Sequence, residues 1–166
     1  MLHFGARVRS LAATALLCAL AACASPRPPT VTPTVARVVQ VTSRGLDLEV
    51  TLTVHNPNAF ALSAKSVDGT LYLDGQTKLG TGQATPGASI PAKGSAEVRS
   101  QVQLAWESVP SLQKFLGREQ VPYTFKGNVT LGGDTLELTL PFELKGTLTG
   151  AQLLQAGLRG LFEPAQ

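Results

Sequence analysis

The stretch Leu46-Asp-Leu-Glu-Val-Thr-Leu-Thr-Val-His-Asn-Pro-Asn58 carries the clearest structural signal in the chain. Apolar and polar residues alternate without a break from Leu46 to His55, which places the aliphatic side chains on one face of a β-strand and the polar ones on the other. Pro57 ends the pattern, because it has no amide hydrogen and restricts the residue before it. Asn56 and Asn58 can also bond to nearby backbone. The stretch therefore predicts a half-buried strand followed by a turn.

Similar strands recur along the rest of the chain. Residues 96–106, 121–131 and 136–144 show the same alternation, and residues 67–73 carry a shorter version of it. Two segments are weaker: residues 35–41 are rich in valine but have no clean period, and glycines interrupt residues 76–84. About seven half-buried strands with turns between them predict an all-β fold, a β-sandwich.

Turn signals separate these strands. Asp74-Gly75 is typical of a tight hairpin, since such a turn needs positive φ angles, and Lys93-Gly94 marks a second turn. Gly132-Gly133-Asp134 is expected to join the last two strands as a hairpin. Pro141 lies within the last strand and cannot donate to a ladder, so we expect this strand at a sheet edge.

Two helical segments are expected. Ser108 is a good N-cap, Pro110 fits a first helical turn, and Gly117 can end the helix in a left-handed conformation. The tail, residues 149–166, is apolar at helical spacing between Ala151 and Phe162, which favours a short amphipathic helix packed over the sandwich. A frayed tail and a membrane-touching segment are the alternatives.

The markers of these segments resemble those of the LEA type 2 family, also called the WHy (water stress and hypersensitive response) domain. The resemblance rests on Asn56-Pro57-Asn58, on the segment from Val67 to the Asp74-Gly75 turn, and on a helix after Trp106. It implies a fibronectin- or immunoglobulin-like antiparallel β-sandwich with one short inserted helix, here over residues 35–148. It also implies a non-catalytic module that protects other proteins during water loss or freezing.

The N-terminus has the features of an export signal. Arg7 and Arg9 precede an apolar run that is too short to span a bilayer, which predicts a signal peptide over residues 1–22. Leu20-Ala-Ala-Cys23 looks like a bacterial lipobox, in which Cys23 is lipidated and becomes the first mature residue. The alternative is an ordinary signal cleaved nearby. Ala24 resembles the outer-membrane sorting rule, so we expect a lipid-anchored protein of the cell envelope, in the outer membrane and facing the periplasm.

Residues 23–34 are rich in proline and threonine and predict a tether. In polyproline II geometry about ten such residues span about 30 Å, so the tether could hold a domain that begins near Val35 well off a membrane. Without Arg7 and Arg9, twelve basic side chains stand against eleven acidic ones. This near balance removes the electrostatic basis for nucleic-acid binding. With Cys18 removed and Cys23 lipidated, no disulfide is expected within the mature chain.

Residues with catalytic or metal-binding chemistry are scarce. His55 is the one histidine of the predicted mature chain and sits on the polar face of its strand, so we expect it to be solvated. No second histidine or free cysteine joins it to hold a metal. One residue count does not exclude a Ser-His-Asp arrangement, but no Gly-x-Ser-x-Gly motif accompanies His55. We therefore predict no enzyme, no cofactor and no metal.

Two functional hypotheses remain. The first is a folded module that protects unfolded client proteins during desiccation, osmotic or freezing stress. The second is a domain that binds lipid or another apolar ligand, or a structural adaptor in an envelope complex. The sequence is 43% hydrophobic with positive mean hydropathy, which is typical of a folded domain and not of a disordered chain. The regular alternation predicts a filled core with at most a shallow groove near the helix, and it says nothing about oligomeric state.

Overall fold

The computed structural model describes residues 26–42, 44–107, 115, 118–133 and 136–152. Eight strands account for most of them and are numbered in chain order: β1 Thr30–Val41, β2 Gly45–His55, β3 Leu62–Leu73, β4 Thr77–Ala84, β5 Ser89–Ile90, β6 Ser95–Trp106, β7 Gln120–Gly132 and β8 Glu137–Thr149. The short strand β5 adds to the seven that the sequence predicts.

All the strand pairs are antiparallel, and they form one curled sheet in the order β1-β2-β6-β4-β3-β7-β8, with β5 beside β3. The curl brings the two edge strands, β1 and β8, close to each other. The Tyr123 hydroxyl of β7 reaches across to β1 and donates a hydrogen bond to the Ala36 carbonyl at 2.9 Å. The predicted all-β, sandwich-like class is therefore confirmed.

The inner faces of the long strands fill the core. In β2, Leu48, Val50, Leu52 and Val54 have no exposed surface. The polar residues between them lie on the opposite face, where Thr51 is buried and Thr53 and His55 are exposed. Phe125 of β7 packs beside Phe142 of β8, with ring centroids 5.9 Å apart. Burial of each such side chain contributes about 1.5–3 kcal/mol. The apolar residues that alternate along the strands are therefore the main source of stability.

Strand β1 differs from its prediction in length and in pattern. It begins at Thr30, which pairs with His55, so residues 30–34 belong to the sheet and not to the tether. The ladder with β2 shifts register between Pro33 and Val35 and again between Val38 and Gln40. Each irregularity adds a residue that breaks the two-residue period. This explains why the valine-rich segment has no clean alternation in sequence.

The glycines of β4 allow the backbone of its neighbour β6 to approach closely. A Cβ atom at Gly80 would lie 2.1 Å from the Ala105 carbonyl oxygen, and one at Gly82 would lie 2.3 Å from that of Gln103. The same glycines that weaken the sequence signal are therefore needed for the pairing that links the two halves of the sheet.

The predicted turns lie where the strands end. Asp74 and Gly75 have φ angles of 52° and 73°, and they connect β3 to β4. Pro141 is exposed on β8, an edge strand as expected.

Most residues of the two predicted helices lie outside the described part of the chain. Around the first helix only Phe115 is described, and it is buried. Thr149 and Gln152 form a reciprocal cap at the start of the tail: the Gln152 amide donates to Thr149 Oγ1 at 3.3 Å, and the Thr149 amide donates to Gln152 Oε1 at 2.9 Å. The tail therefore begins as a helical turn, and its predicted continuation to Phe162 lies outside the described residues.

Candidate functional site

The segment Asn56-Pro57-Asn58, here called the asparagine corner, leaves the end of β2 and turns towards β3. Both asparagines are buried, with 0% and 6% of their surface exposed, although they belong to a loop. A buried amide costs free energy unless its donors and acceptors find partners. The contacts of the two side chains therefore show what the corner holds in place.

Asn56 joins two loops. Its Nδ2 donates to the Phe60 carbonyl at 2.7 Å and to the Pro91 carbonyl at 3.2 Å. Its Oδ1 accepts a hydrogen bond from the Asn58 backbone amide at 3.0 Å, and its own backbone amide donates to the Gly94 carbonyl at 2.8 Å. The loop after β2 and the turn before β6 are thereby fixed side by side.

Asn58 clamps the N-terminal segment. Its Oδ1 accepts from the Arg27 backbone amide at 2.7 Å, and its Nδ2 donates to the Arg27 carbonyl at 2.8 Å. The side chain thus pairs with both polar groups of one residue, as a neighbouring strand would. The Asn58 carbonyl also accepts from the Lys93 amide at 2.8 Å. Arg27, within the predicted tether, is therefore bound to the domain.

The chemistry of the corner is structural. Side-chain amides do not titrate near neutral pH, and every side-chain donor and acceptor of the two asparagines has a protein partner. The arrangement can position loops and the chain entering from the N-terminus. It offers no group for proton transfer or nucleophilic attack.

The two loops held by the corner expose small apolar side chains and one aromatic. Ala59, Phe60, Ala61, Pro91 and Ala92 are all exposed and are called here the apolar rim. Phe60 is 37% exposed. Beside it lies an open depression of about 490 Å³, which Leu62, Ser89 and Gly133 also line. This depression lies at the Leu62 end of β3, and the groove expected near the predicted helix falls outside the described residues.

His55 lies at the surface, as expected. Its Nδ1 is 3.1 Å from Ser95 Oγ, and both residues are exposed. Within the described residues, no cluster of histidine, cysteine and acidic side chains could hold a metal ion. Asp74 accepts a salt bridge from Arg118 at 3.3 Å, across the hairpin end of the domain. Cys23, the predicted lipidation residue, lies outside the described residues.

The titration shifts in the structure have plain structural causes. A hydrogen bond from Arg99 lowers the pKa of the Glu97 carboxyl on the outer face of β6. Burial raises the pKa of Tyr123, whose hydroxyl spans the seam between β1 and β7. Glu97 is on an exposed strand face and Tyr123 donates to a backbone carbonyl, so the shifts do not indicate a catalytic pair. The described part of the chain also contains no helix long and apolar enough to cross a membrane.

Sequence reasoning found the corner but not its partners. The sequence predicts turn residues at Asn56 and Asn58, whereas Arg27 lies 31 residues from Asn58 and Pro91 lies 35 residues from Asn56. No local pattern signals such contacts. Phe60, the aromatic residue of this short loop, is the one feature of the rim that stands out in the sequence.

Replacing Asn56 by alanine should destabilise the domain markedly. The change leaves the Phe60 carbonyl, the Pro91 carbonyl and the Asn58 amide without their partner, at a cost of about 1–3 kcal/mol for each buried group that water does not reach. Urea unfolding measures this loss. Asn128→Ala is the matched control, because Asn128 is half-buried and donates one long bond, 3.3 Å, to Asp68. Equal losses in the two variants would contradict the role given to the corner.

The fold and the corner define a class of protein: an all-β sandwich module whose loops at one end are fixed by buried amides. The sequence model of the late embryogenesis abundant protein family matches residues 51–146, which is more than half of the chain. This chain therefore belongs to the late embryogenesis abundant protein family, in its type 2 branch, whose members are generally not enzymes. No curated protein matches the chain at a significant level.

Three solved structures share the fold. A late embryogenesis abundant protein studied in solution is 20% identical, has a TM-score of 0.57, and is matched over 86% of this chain and 82% of its own. A protein of Arabidopsis thaliana, also solved in solution, is 20% identical with a TM-score of 0.56, over 75% and 82% of the two chains. A crystal structure of an Archaeoglobus fulgidus protein is 12% identical with a TM-score of 0.51, over 75% and 97%. At these identities the likeness concerns the fold.

Proposed function

We propose that this chain is a non-catalytic lipoprotein of the cell envelope that protects client proteins during desiccation, osmotic or freezing stress. Family membership supports the stress-related role, and the Leu20-Ala-Ala-Cys23 motif supports attachment through a lipid on Cys23. The protein would face the periplasm from the outer membrane. The active form is the folded sandwich itself.

One observation carries this proposal: among the described residues the core consists of apolar side chains packed on one another, so the outer surface is what the domain offers to partners. The inner side chains of β2 and the aromatic pair of β7 and β8 occupy the space between the two halves of the sheet. A carrier of a lipid needs a cleft that covers most of its ligand. The described interior consists of side chains packed on one another, which favours contact with clients at the surface.

The outer surface has the character expected for weak and reversible contacts. Pairs of basic and acidic side chains form salt bridges across this surface, and most of these side chains are exposed. They are Arg37–Glu49, Lys65–Glu137, Lys78–Glu107, Arg99–Glu97, Arg118–Asp74 and Lys145–Glu143. Such exposed pairs add little to stability. Mixed charge does keep the surface hydrated and hinders association between copies of the chain.

The test is an aggregation assay with the lipid-free domain. The domain from Pro26 onward is mixed with a drying-sensitive enzyme at equimolar ratio, dried, rehydrated, and scored by light scattering and recovered enzyme activity. We expect less scattering and more activity than with an unrelated folded protein of similar size and net charge. Recovery no better than with that control would contradict the proposal. A phospholipid that stays with the delipidated domain would instead favour the alternative, a lipid-binding domain.

A further inference from the structure

The clamp on Arg27 limits how far the domain can stand from its lipid. Only Ala24, Ser25 and Pro26 separate Cys23 from Arg27. Because an extended chain spans at most 3.3–3.6 Å per residue, the Cα atoms of Cys23 and Arg27 lie within about 14 Å of each other. The 30 Å spacer expected from the proline-rich sequence is therefore shortened, since Arg27 is bound to the corner and β1 begins three residues later at Thr30.

The clamp also selects which end of the domain lies next to the lipid. Arg27 is bound by Asn58, and the same corner fixes the loops that carry the apolar rim. The Asp74-Gly75 hairpin lies at the other end of β3, a strand of 12 residues and hence about 35 Å long. The rim end is thus the near end, and the hairpin end is the far end.

The exposed groups of the near end suit a membrane surface. Three large hydrophobic residues of the described chain are exposed, and Phe60 is the aromatic one. The other rim residues are small and apolar. Arg27 and Lys93 flank the rim, are exposed, and make no salt bridge within the described residues. An aromatic side chain with cations beside it fits the boundary between lipid headgroups and acyl chains.

We infer that the apolar rim rests on the lipid surface, with Phe60 in the headgroup region, and that the lipidated protein stands upright with its Asp74-Gly75 hairpin directed away from the membrane. The inference rests on the proposed attachment through Cys23. The rim adds contact to the lipid anchor: Phe60 and four small residues bury little area, so they orient the domain and do not hold it on the membrane alone.

Cysteine labelling provides the test, because the mature chain has no cysteine other than Cys23. Ala92→Cys places an environment-sensitive fluorophore on the rim, and Gln76→Cys places the same fluorophore on the hairpin as the matched control. Both residues are exposed loop positions. The full lipidated proteins are reconstituted in phosphatidylethanolamine and phosphatidylglycerol vesicles, with a headgroup-depth quencher in the bilayer.

We expect the label at position 92 to be quenched several-fold more strongly than the label at position 76. Adding Phe60→Ser should reduce that difference while the protein still floats with the vesicles. Equal, weak quenching at both positions in protein that floats would overturn the orientation and leave the lipid anchor intact. A mature chain whose mass shows no acyl group would overturn the anchor itself, and the orientation with it.

Discussion

Leu52→Asp should abolish the folded state of the domain. Leu52 lies at the centre of β2, has no exposed surface, and pairs with Val98 of β6 and Pro33 of β1. The substitution removes a buried side chain and puts a carboxylate in its place, and no cation is among the buried residues that the structure describes. We expect a loss above about 4 kcal/mol, which is comparable to the whole stability of many domains. Circular dichroism and urea unfolding measure it.

Thr53→Asp is the matched control, because it places the same charge one residue further along the same strand. Thr53 is exposed, so the carboxylate stays in water. Glu97 is its partner on β6, and the like charges should cost up to about 1 kcal/mol. A Leu52→Asp variant that keeps the parental β spectrum and cooperative unfolding would contradict the assignment of this face to the core.

Cys23→Ser should release the protein from membranes or leave it unprocessed. Several acyl chains on one cysteine bind a membrane stably, whereas a single chain binds only marginally, with an association constant of about 10⁴ M⁻¹. With the lipid removed, the exposed rim alone is too small to hold the domain. Membrane fractionation and the mass of the mature chain measure the effect.

Cys18→Ser is the control for this experiment, since the predicted signal peptide includes the other cysteine. We expect this variant to be processed and membrane-bound as the parent is. The lipobox assignment fails if the Cys23→Ser protein matures to the normal length and remains in the membrane fraction.

The strands could be predicted wherever alternation was regular. In β2, β6 and β7 most of the alternating apolar residues are buried, because each strand has one face on the core. Thr51 and Ser100 are buried as well, which the pattern does not predict. Strand β1 was predicted less well, since the register shifts near Pro33 and Val38 disturb its period. Its first residues looked like a tether, because proline and threonine are typical of an exposed linker and also suit an edge strand.

The site was predicted in part. The sequence indicated a turn at Asn56-Pro57-Asn58, but local pattern cannot show that a side chain is buried by partners far along the chain. Arg27 has no sequence feature that ties it to Asn58, and the turn before β6 has none that ties it to Asn56. The proposed orientation of the domain rests on these contacts, which the local sequence pattern does not indicate.

The central claim is that protection comes from the folded sandwich. The most direct test compares Leu52→Asp with Thr53→Asp in the drying assay, at equal concentration and with the same client enzyme. Both variants add one carboxylate, so their net charge is the same. They differ in whether the core is intact. We predict that Thr53→Asp preserves the client as the parent does and that Leu52→Asp loses this protection. Equal protection by the unfolded Leu52→Asp chain would contradict the account, because composition alone would then be sufficient.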